Sequence, residues 1–219
     1  MGSGIGEMSA WQLFKAGGPI MYPLLLCSLF ALTILIEKFL YFQSIKTDVL
    51  KMKRDVFELI KINKIKEAVL LCDTNKSPVA KIFKAGLLKF GHSREEIKES
   101  IEDASLLEIP KLENRLSMLA TIAHISPLLG LLGTVTGIAS SFYIIQMRVS
   151  SMNPITLGDL AAGMGQALLT TMAGLMIAIP TFVAYNYCVN YINNVILDME
   201  RSSAELVNFM CQIIETNPL

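Results

Sequence analysis

The sequence predicts an all-α membrane protein, with three transmembrane helices per subunit and long helices extending into a cytoplasmic helical domain. Apolar residues make up 53% of its 219 positions and charged residues only 17%, with a mean hydropathy of +0.50. That balance lies outside the usual range of a soluble domain of this size. Three segments, 20–42, 118–145 and 156–189, are long and apolar enough to cross a hydrocarbon core of ~30 Å, which takes roughly 20 residues. Of the 19 Lys and Arg residues, 15 fall between Lys46 and Arg115, whereas the loop between the second and third segments holds only Arg148. By the positive-inside rule the 43–117 region is cytoplasmic, and so is the tail from 190 to 219. The N-terminus (1–19) and the loop 146–155 then face outward.

Taken in order, residues 1–6 are Gly-rich, and Ser9 is placed to cap a short amphipathic helix carrying Trp11, Leu13 and Phe14 that ends at Gly17 and Gly18 before Pro19. Trp11 reads as an interface anchor or as a mere lead-in to the first span. That span closes on Glu37 and Lys38, without a preceding basic cluster or a following small-residue cleavage site. It reads as an anchored helix and not a cleaved signal. In the polar region, helices are expected over 49–62, 64–72 and 77–90, with breaks at Asn75, Ser77 and Gly91. Ser93 with Glu96 forms a capping box. The helix it opens is expected to run toward the second span with a bend at Pro110. Beyond the third span, Ile192, Val195, Met199, Ser203, Leu206, Met210 and Ile213 recur at three- and four-residue steps. This stripe suits helix packing, within one chain or between subunits.

Acidic residues nearly balance the basic ones, so no nucleic-acid partner is expected. Cys27, Cys72, Cys188 and Cys211 have no ligand spacing and read as reduced thiols. The chain is not expected to be an enzyme. It shows no nucleophile–base pair, no metal-ligand cluster, no cofactor motif and no phosphate loop followed by Lys.

The second and third spans carry the most information. If they are antiparallel about a turn near Met152, residues whose numbers add to about 305 share a depth, since a helix rises ~1.5 Å per residue. Thr134 is then level with Thr171, Gly130 with Gly174 or Leu175, and Pro127 close to the level of Pro180, where both prolines favour bends. Gly130, Thr134, Gly137 and Ser141, flanked by Gly133, form one small-residue face. Ala167, Thr171, Gly174 and Ala178 form another. Such faces allow close helix packing in lipid. The functional reading rests on Thr134, Thr170 and Thr171, whose hydroxyls both donate and accept and can line a water or ion path. Gln166 lines that path, bridges helices or stabilises an interface. His124 either titrates near neutral pH or serves as a neutral interhelical group. Asp159 stands at the outer end of the third span, and no Asp or Glu lies deeper. A proton relay would therefore need an acid from another chain.

The run Ser126-Pro-Leu-Leu-Gly-Leu-Leu-Gly-Thr-Val-Thr-Gly-Ile138, together with Gly165-Gln-Ala-Leu-Leu-Thr-Thr-Met-Ala-Gly-Leu-Met-Ile-Ala-Ile-Pro180, closely resembles the ExbB/TolQ/MotA family of bacterial inner-membrane proton-channel motor subunits. Trp11 with Gly17-Gly-Pro-Ile-Met-Tyr-Pro23 resembles the opening of the ExbB and TolQ branch, and three spans suit that branch better than the four-span MotA. The resemblance implies a homopentamer around a central pore lined by the second and third spans. That pore would hold the helices of a single-span ExbD- or TolR-like partner, typically a dimer, with an intramembrane Asp. Work would pass to a TonB- or TolA-like protein. Thr134 and Thr171 match the family's pore-facing threonines, whereas Gln166 stands where ExbB and TolQ commonly have Glu. An amide cannot ionise, so the titrating role shifts to the partner's aspartate, and sodium becomes an alternative to protons. The contrasting expectation is a non-conducting membrane scaffold that clusters partners through its small-residue faces. A secondary transporter fits less well, because three spans show no inverted repeat.

Overall fold

The computed structural model describes residues 9–45, 49–152, 154 and 156–216. The Gly-rich start (residues 1–6) and the side chain of Asp159 lie outside what it describes. Among the described residues the chain forms eight helices and no strand: α1 (Ala10–Ala16), α2 (Met21–Ile45), α3 (Val49–Lys61), α4 (Ile65–Thr74), α5 (Pro78–Leu88), α6 (Arg94–Glu113), α7 (Leu116–Ser150) and α8 (Leu157–Thr216). Three of the apolar stretches, in α2, α7 and α8, are long enough to cross a membrane. The third span and the C-terminal helix are one 60-residue helix, with Pro180 inside it.

The chain divides into two compact units, one of Met1–Leu35 with Arg115–Asn186, the other of Ile36–Asn114 with Tyr187–Leu219. In the first, α1 opens on a reciprocal cap in which the Gln12 amide N–H donates to Ser9 Oγ (3.4 Å) and the Ser9 N–H donates to Gln12 Oε1 (3.0 Å). Trp11 stacks on Phe14 at 5.8 Å, and Phe14 meets the edge of Tyr22 at 5.2 Å. The chain turns into α2 through Gly18 at φ +75°, a conformation that glycine adopts without a Cβ penalty. Along α2, Ala31 and Ile34 face Leu119, with Leu35, Ile122 and Tyr185 around them. Leu25, Leu26, Leu29, Phe30 and Leu32 on its other faces are exposed, as lipid-facing side chains are.

The second unit has a helical core of its own. Val56, Ile60, Ala68, Ile82, Phe83 and Ile97 are fully buried, and Phe57 packs against both Phe83 (6.1 Å) and Phe209 (4.8 Å). The C-terminal stripe packs within the chain: Ile192, Met199, Leu206 and Met210 are buried in this same unit. A Cβ on Gly86 would meet Ile101 Cδ1 at 2.8 Å and Leu206 Cδ2 at 3.2 Å, so α5 is clasped between α6 and the distal part of α8. Polar ties add direction: Lys53 pairs with Glu205 at 2.6 Å, and Arg94 donates to Asn208 Oδ1 at 2.9 Å. Glu108, almost wholly buried, holds Lys81 at 2.6 Å and Lys111 at 2.5 Å.

The boundary between α6 and α7 differs from the sequence expectation. Pro110 sits inside an unbroken α6, and the helix stops instead at Asn114 and Arg115, where Arg115 takes a left-handed φ of +62°. Pro110 is exposed, so the carbonyl freed by its missing N–H reaches solvent at little cost. The Ser93 cap also differs in detail. Its hydroxyl accepts from the Glu96 N–H (3.3 Å) and donates to the Glu96 carboxylate (3.1 Å), so the carboxylate takes the hydroxyl and not the Ser93 N–H.

Two outcomes are expected here. Burial pushes the Cys72 thiol up to about 12, against a smaller lowering by Lys84, and the thiolate is the reactive form. Cys72 should therefore resist alkylation at pH 8 in the folded chain and react only on unfolding, as read by mass spectrometry. Burial pushes the Glu108 carboxyl up, but hydrogen bonds and charge from Lys111 and Lys81 outweigh it and leave it below the ordinary value. A carboxyl lowered by folding stabilises the fold above its unfolded pKa, and that stability is lost as pH falls through the folded value. The thermal midpoint should fall between pH 6 and pH 3, and fall less in Glu108→Gln.

Candidate functional site

The site is the seam where α7 meets the first half of α8. Helices in lipid gain nothing by hiding apolar surface from each other, so their contact depends on close backbone approach and interhelical hydrogen bonds. Ser126, Gly130, Gly133, Gly137 and Ser141 are the buried line of α7 within this seam. Each missing Cβ is matched by an atom of α8. A Cβ on Gly130 would stand 3.1 Å from the Thr170 carbonyl oxygen and from Thr171 Cα. One on Gly133 would collide with the Thr170 side chain, and one on Gly137 would stand 2.7 Å from the Gly163 carbonyl oxygen. From the other side, a Cβ on Gly174 would reach the Ser126 carbonyl oxygen at 2.7 Å. A Cβ on Gly174 would also stand 3.1 Å from Gly130 Cα, so these two glycines meet, and the seam is antiparallel, with Ser126 and Gly130 against Gly174, Gly130 against Thr171, Gly133 against Thr170 and Gly137 against Ala167.

Among the described residues, two hydrogen bonds cross it. Thr171 Oγ1 donates toward the Gly130 carbonyl at 3.2 Å, sharing that proton with the Ala167 carbonyl at 3.2 Å on its own helix. Ser141 Oγ stands 3.5 Å from the Leu160 carbonyl and 3.3 Å from that of Gly137. The remaining hydroxyls turn to their own helices: Ser126 to Ile122 (2.7 Å), Thr134 to Leu131 (2.6 Å), Ser140 to Gly137 (2.7 Å), Thr170 to Ala167 (2.9 Å) and Thr181 to Ile177 (2.7 Å). This is how an isolated hydroxyl is satisfied where water is scarce.

The three threonines fall into two environments. Thr170 is fully buried in the notch left by Gly133, which makes it a packing group within the chain. Thr134 and Thr171 are half-buried, at the rim of the seam. Thr171 lies beside Gly130, and the Thr134 hydroxyl turns to its own helix at Leu131. The buried line of α8 runs Gly163, Ala167, Thr170, Gly174, Ala178 and Thr181, and not through Thr171 as its spacing suggested. Gly163, Ser126 and Thr181 are seam residues outside the two faces read from the spacing. A Cβ on Gly163 would run into Ser141 Oγ and the Gly137 carbonyl oxygen, and its signal was the four-residue step to Ala167.

Gln166 belongs to another contact: a side chain on Gly18 would strike its amide, with Cδ at 3.0 Å. It therefore packs on the turn between α1 and α2. His124 is exposed, donates from Nδ1 to the Ala120 carbonyl at 2.7 Å, and presents its ring to Phe182 edge-on at 6.1 Å. A carbonyl only accepts, which places the proton on Nδ1. Pro127 and Pro180 both lie inside continuous helices.

An all-helical chain with three apolar helices, two of them joined along a seam of glycines and hydroxyls, is a multi-pass membrane protein. It belongs to the MotA/TolQ/ExbB proton channel family, whose model matches residues 74–201. The match takes in more than half of the polar region, the whole seam and the start of the C-terminal stretch beyond it. The chain is 32% identical over 171 residues to ExbB-like protein 3 of Synechocystis, covering 78% of this chain and 80% of that protein. It is 33% identical over 120 residues to the biopolymer transport protein ExbB of Aquifex aeolicus, covering 55% and 78%. It is 47% identical over 79 residues to the Tol-Pal system protein TolQ of Haemophilus influenzae, covering 36% and 33%.

The seam predicts a graded response to added methyl groups. Gly174→Ala places Cβ against a backbone oxygen, whereas Gly165→Ala meets nothing within 4 Å. Overpacking of this kind costs about 1–3 kcal/mol. Thermal unfolding in detergent should show Gly174→Ala clearly destabilised and Gly165→Ala within about 0.5 kcal/mol of the parent.

Proposed function

We propose that this chain is the ion-conducting subunit of an inner-membrane motor that couples the proton motive force to mechanical work. In this reading five copies surround a central pore lined by the second and third spans. The polar helical region and C-terminal tail lie in the cytoplasm, with the N-terminus in the periplasm. The pore holds the helices of a single-span partner of the ExbD or TolR kind, whose intramembrane Asp is the titrating group. The relatives named for biopolymer transport and for the Tol-Pal system support work on the cell envelope, delivered through a TonB- or TolA-like protein.

The observation that carries the reading is the pair of half-buried hydroxyls, Thr134 and Thr171, at the rim of a seam whose interior is otherwise closed. A partner carboxylate arriving there is neutral while dry and charged when wetted, since burying the ionised form is costly unless hydroxyls receive it. The membrane potential supplies ~2.3 kcal/mol per charge per 100 mV, enough to bias steps between nearly equivalent subunit contacts. Gln166 cannot ionise, so it enters as a neutral hydrogen-bonding group near the turn at Gly18. Thr170 supports the wall and does not line it.

The test is proton flux in liposomes containing the chain and a single-span partner with an intramembrane Asp. Thr134→Val and Thr171→Val keep shape and remove the hydroxyl; each should reduce flux at least tenfold with assembly retained. Thr134→Ser and Thr171→Ser should stay within about threefold. Undiminished flux in both Val variants, or none in the parent, favours the scaffold, in which the small-residue faces serve only to cluster proteins.

A further inference from the structure

The second unit contains a buried ammonium that the ion-conducting reading does not use. Lys38 is only 4% exposed, and its Nζ donates to the Leu112 carbonyl at 2.7 Å. Leu112 is itself fully buried and stands in the last turn of α6. The carbonyls of a final helical turn lack intrahelical donors, and they form the negative end of the helix dipole. A Lys side chain from α2 therefore supplies what a local cap ordinarily does. The chain downstream has no glycine or Asn in the left-handed position that commonly closes a helix; Arg115 occupies it, at φ +62°. The Tyr41 ring lies 5.7 Å from the same ammonium. Beside this contact, Phe42 packs on Tyr191 at 4.3 Å, so the far end of α2 is held against both α6 and α8.

We propose that Lys38 is a positioning residue, a latch that caps α6 from across the fold and sets the helix break at Asn114 and Arg115. The physical case rests on cost. Burying an ammonium is expensive unless its protons are received by well-placed acceptors. A methylene stem alone would fill the same space without that penalty, and what the ammonium adds at the helix end is a donor to the Leu112 carbonyl. The latch also accounts for the position of the break. With Leu112's carbonyl already engaged by Lys38, the helix gains less by continuing past Asn114 than it would with an open carbonyl, and Pro110 one turn earlier does not end it. This inference does not depend on ion conduction, and its test does not read conduction.

Lys38→Met keeps length and packing and removes the donor, while Lys38→Arg restores a cation that can reach a carbonyl. Hydrogen exchange on the full chain in nanodiscs should show amides of residues 110–116 exchanging at least tenfold faster in K38M. Protection in α3, α4 and α5 should be unchanged, and K38R should recover most of the loss. Unchanged exchange at residues 110–116 in K38M overturns the proposal, as does a uniform loss of protection that K38R fails to restore. If K38M does not accumulate, K38Q carries the test: a neutral donor should give intermediate exchange, and parental exchange overturns the latch.

Discussion

The structure depends first on side chains that are absent. Gly130, Gly133 and Gly137 on α7, with Gly163 and Gly174 on α8, let two backbones come within van der Waals reach of one another. In lipid, apolar burial between helices contributes little, so contact area and short-range dispersion must hold them. Close approach then allows what side chains of ordinary size would block, a threonine hydroxyl reaching the carbonyl of the neighbouring helix. Register follows from the same cause. The spans align where a missing Cβ meets a backbone atom. This is why Gly130 faces Thr171 and Gly133 faces Thr170, with Thr134 and Thr171 left at the rim.

The other unit is stabilised differently. Its helices carry charged faces and bury Val, Ile, Leu and Phe against each other. Within that core, Glu108 and Lys38 are buried charges held by specific partners, two ammonium groups for the first and a helix-end carbonyl for the second. Neither is a large net source of stability, because desolvation offsets most of the attraction. What they contribute is connection, Glu108 tying α5 to α6 and Lys38 tying α2 to α6. Helix α8 takes part in both solvent regimes, apolar and glycine-lined in its first half and amphipathic in its second.

Much of this was legible because the signals were local. The helix starts at Ser9 and Ser93 are hydrogen bonds between a side chain and a backbone three residues on, and every partner is in the same short stretch. Spans of twenty apolar residues follow from bilayer thickness alone. The glycines and hydroxyls of the second and third spans stood out because such residues are costly in a lone apolar helix and must answer to something beyond it.

Sequence by itself determined the helical class, the three apolar stretches, the antiparallel pairing of two of them and the family to which the chain belongs. Tertiary structure decided what each of two adjacent threonines does against the neighbouring helix, Thr170 filling the notch at Gly133 and Thr171 donating to the Gly130 carbonyl, since the two differ by a rotation of about 100° that only a partner can place. It decided that the stripe from Ile192 to Ile213 closes on its own chain, and that α6 ends at Asn114 and not at Pro110. The reason is common to all three. Periodicity gives the face of a helix, whereas the depth, partner and end of that face are set by atoms that arrive from elsewhere in the fold, as Lys38 arrives at Leu112 from 74 residues away.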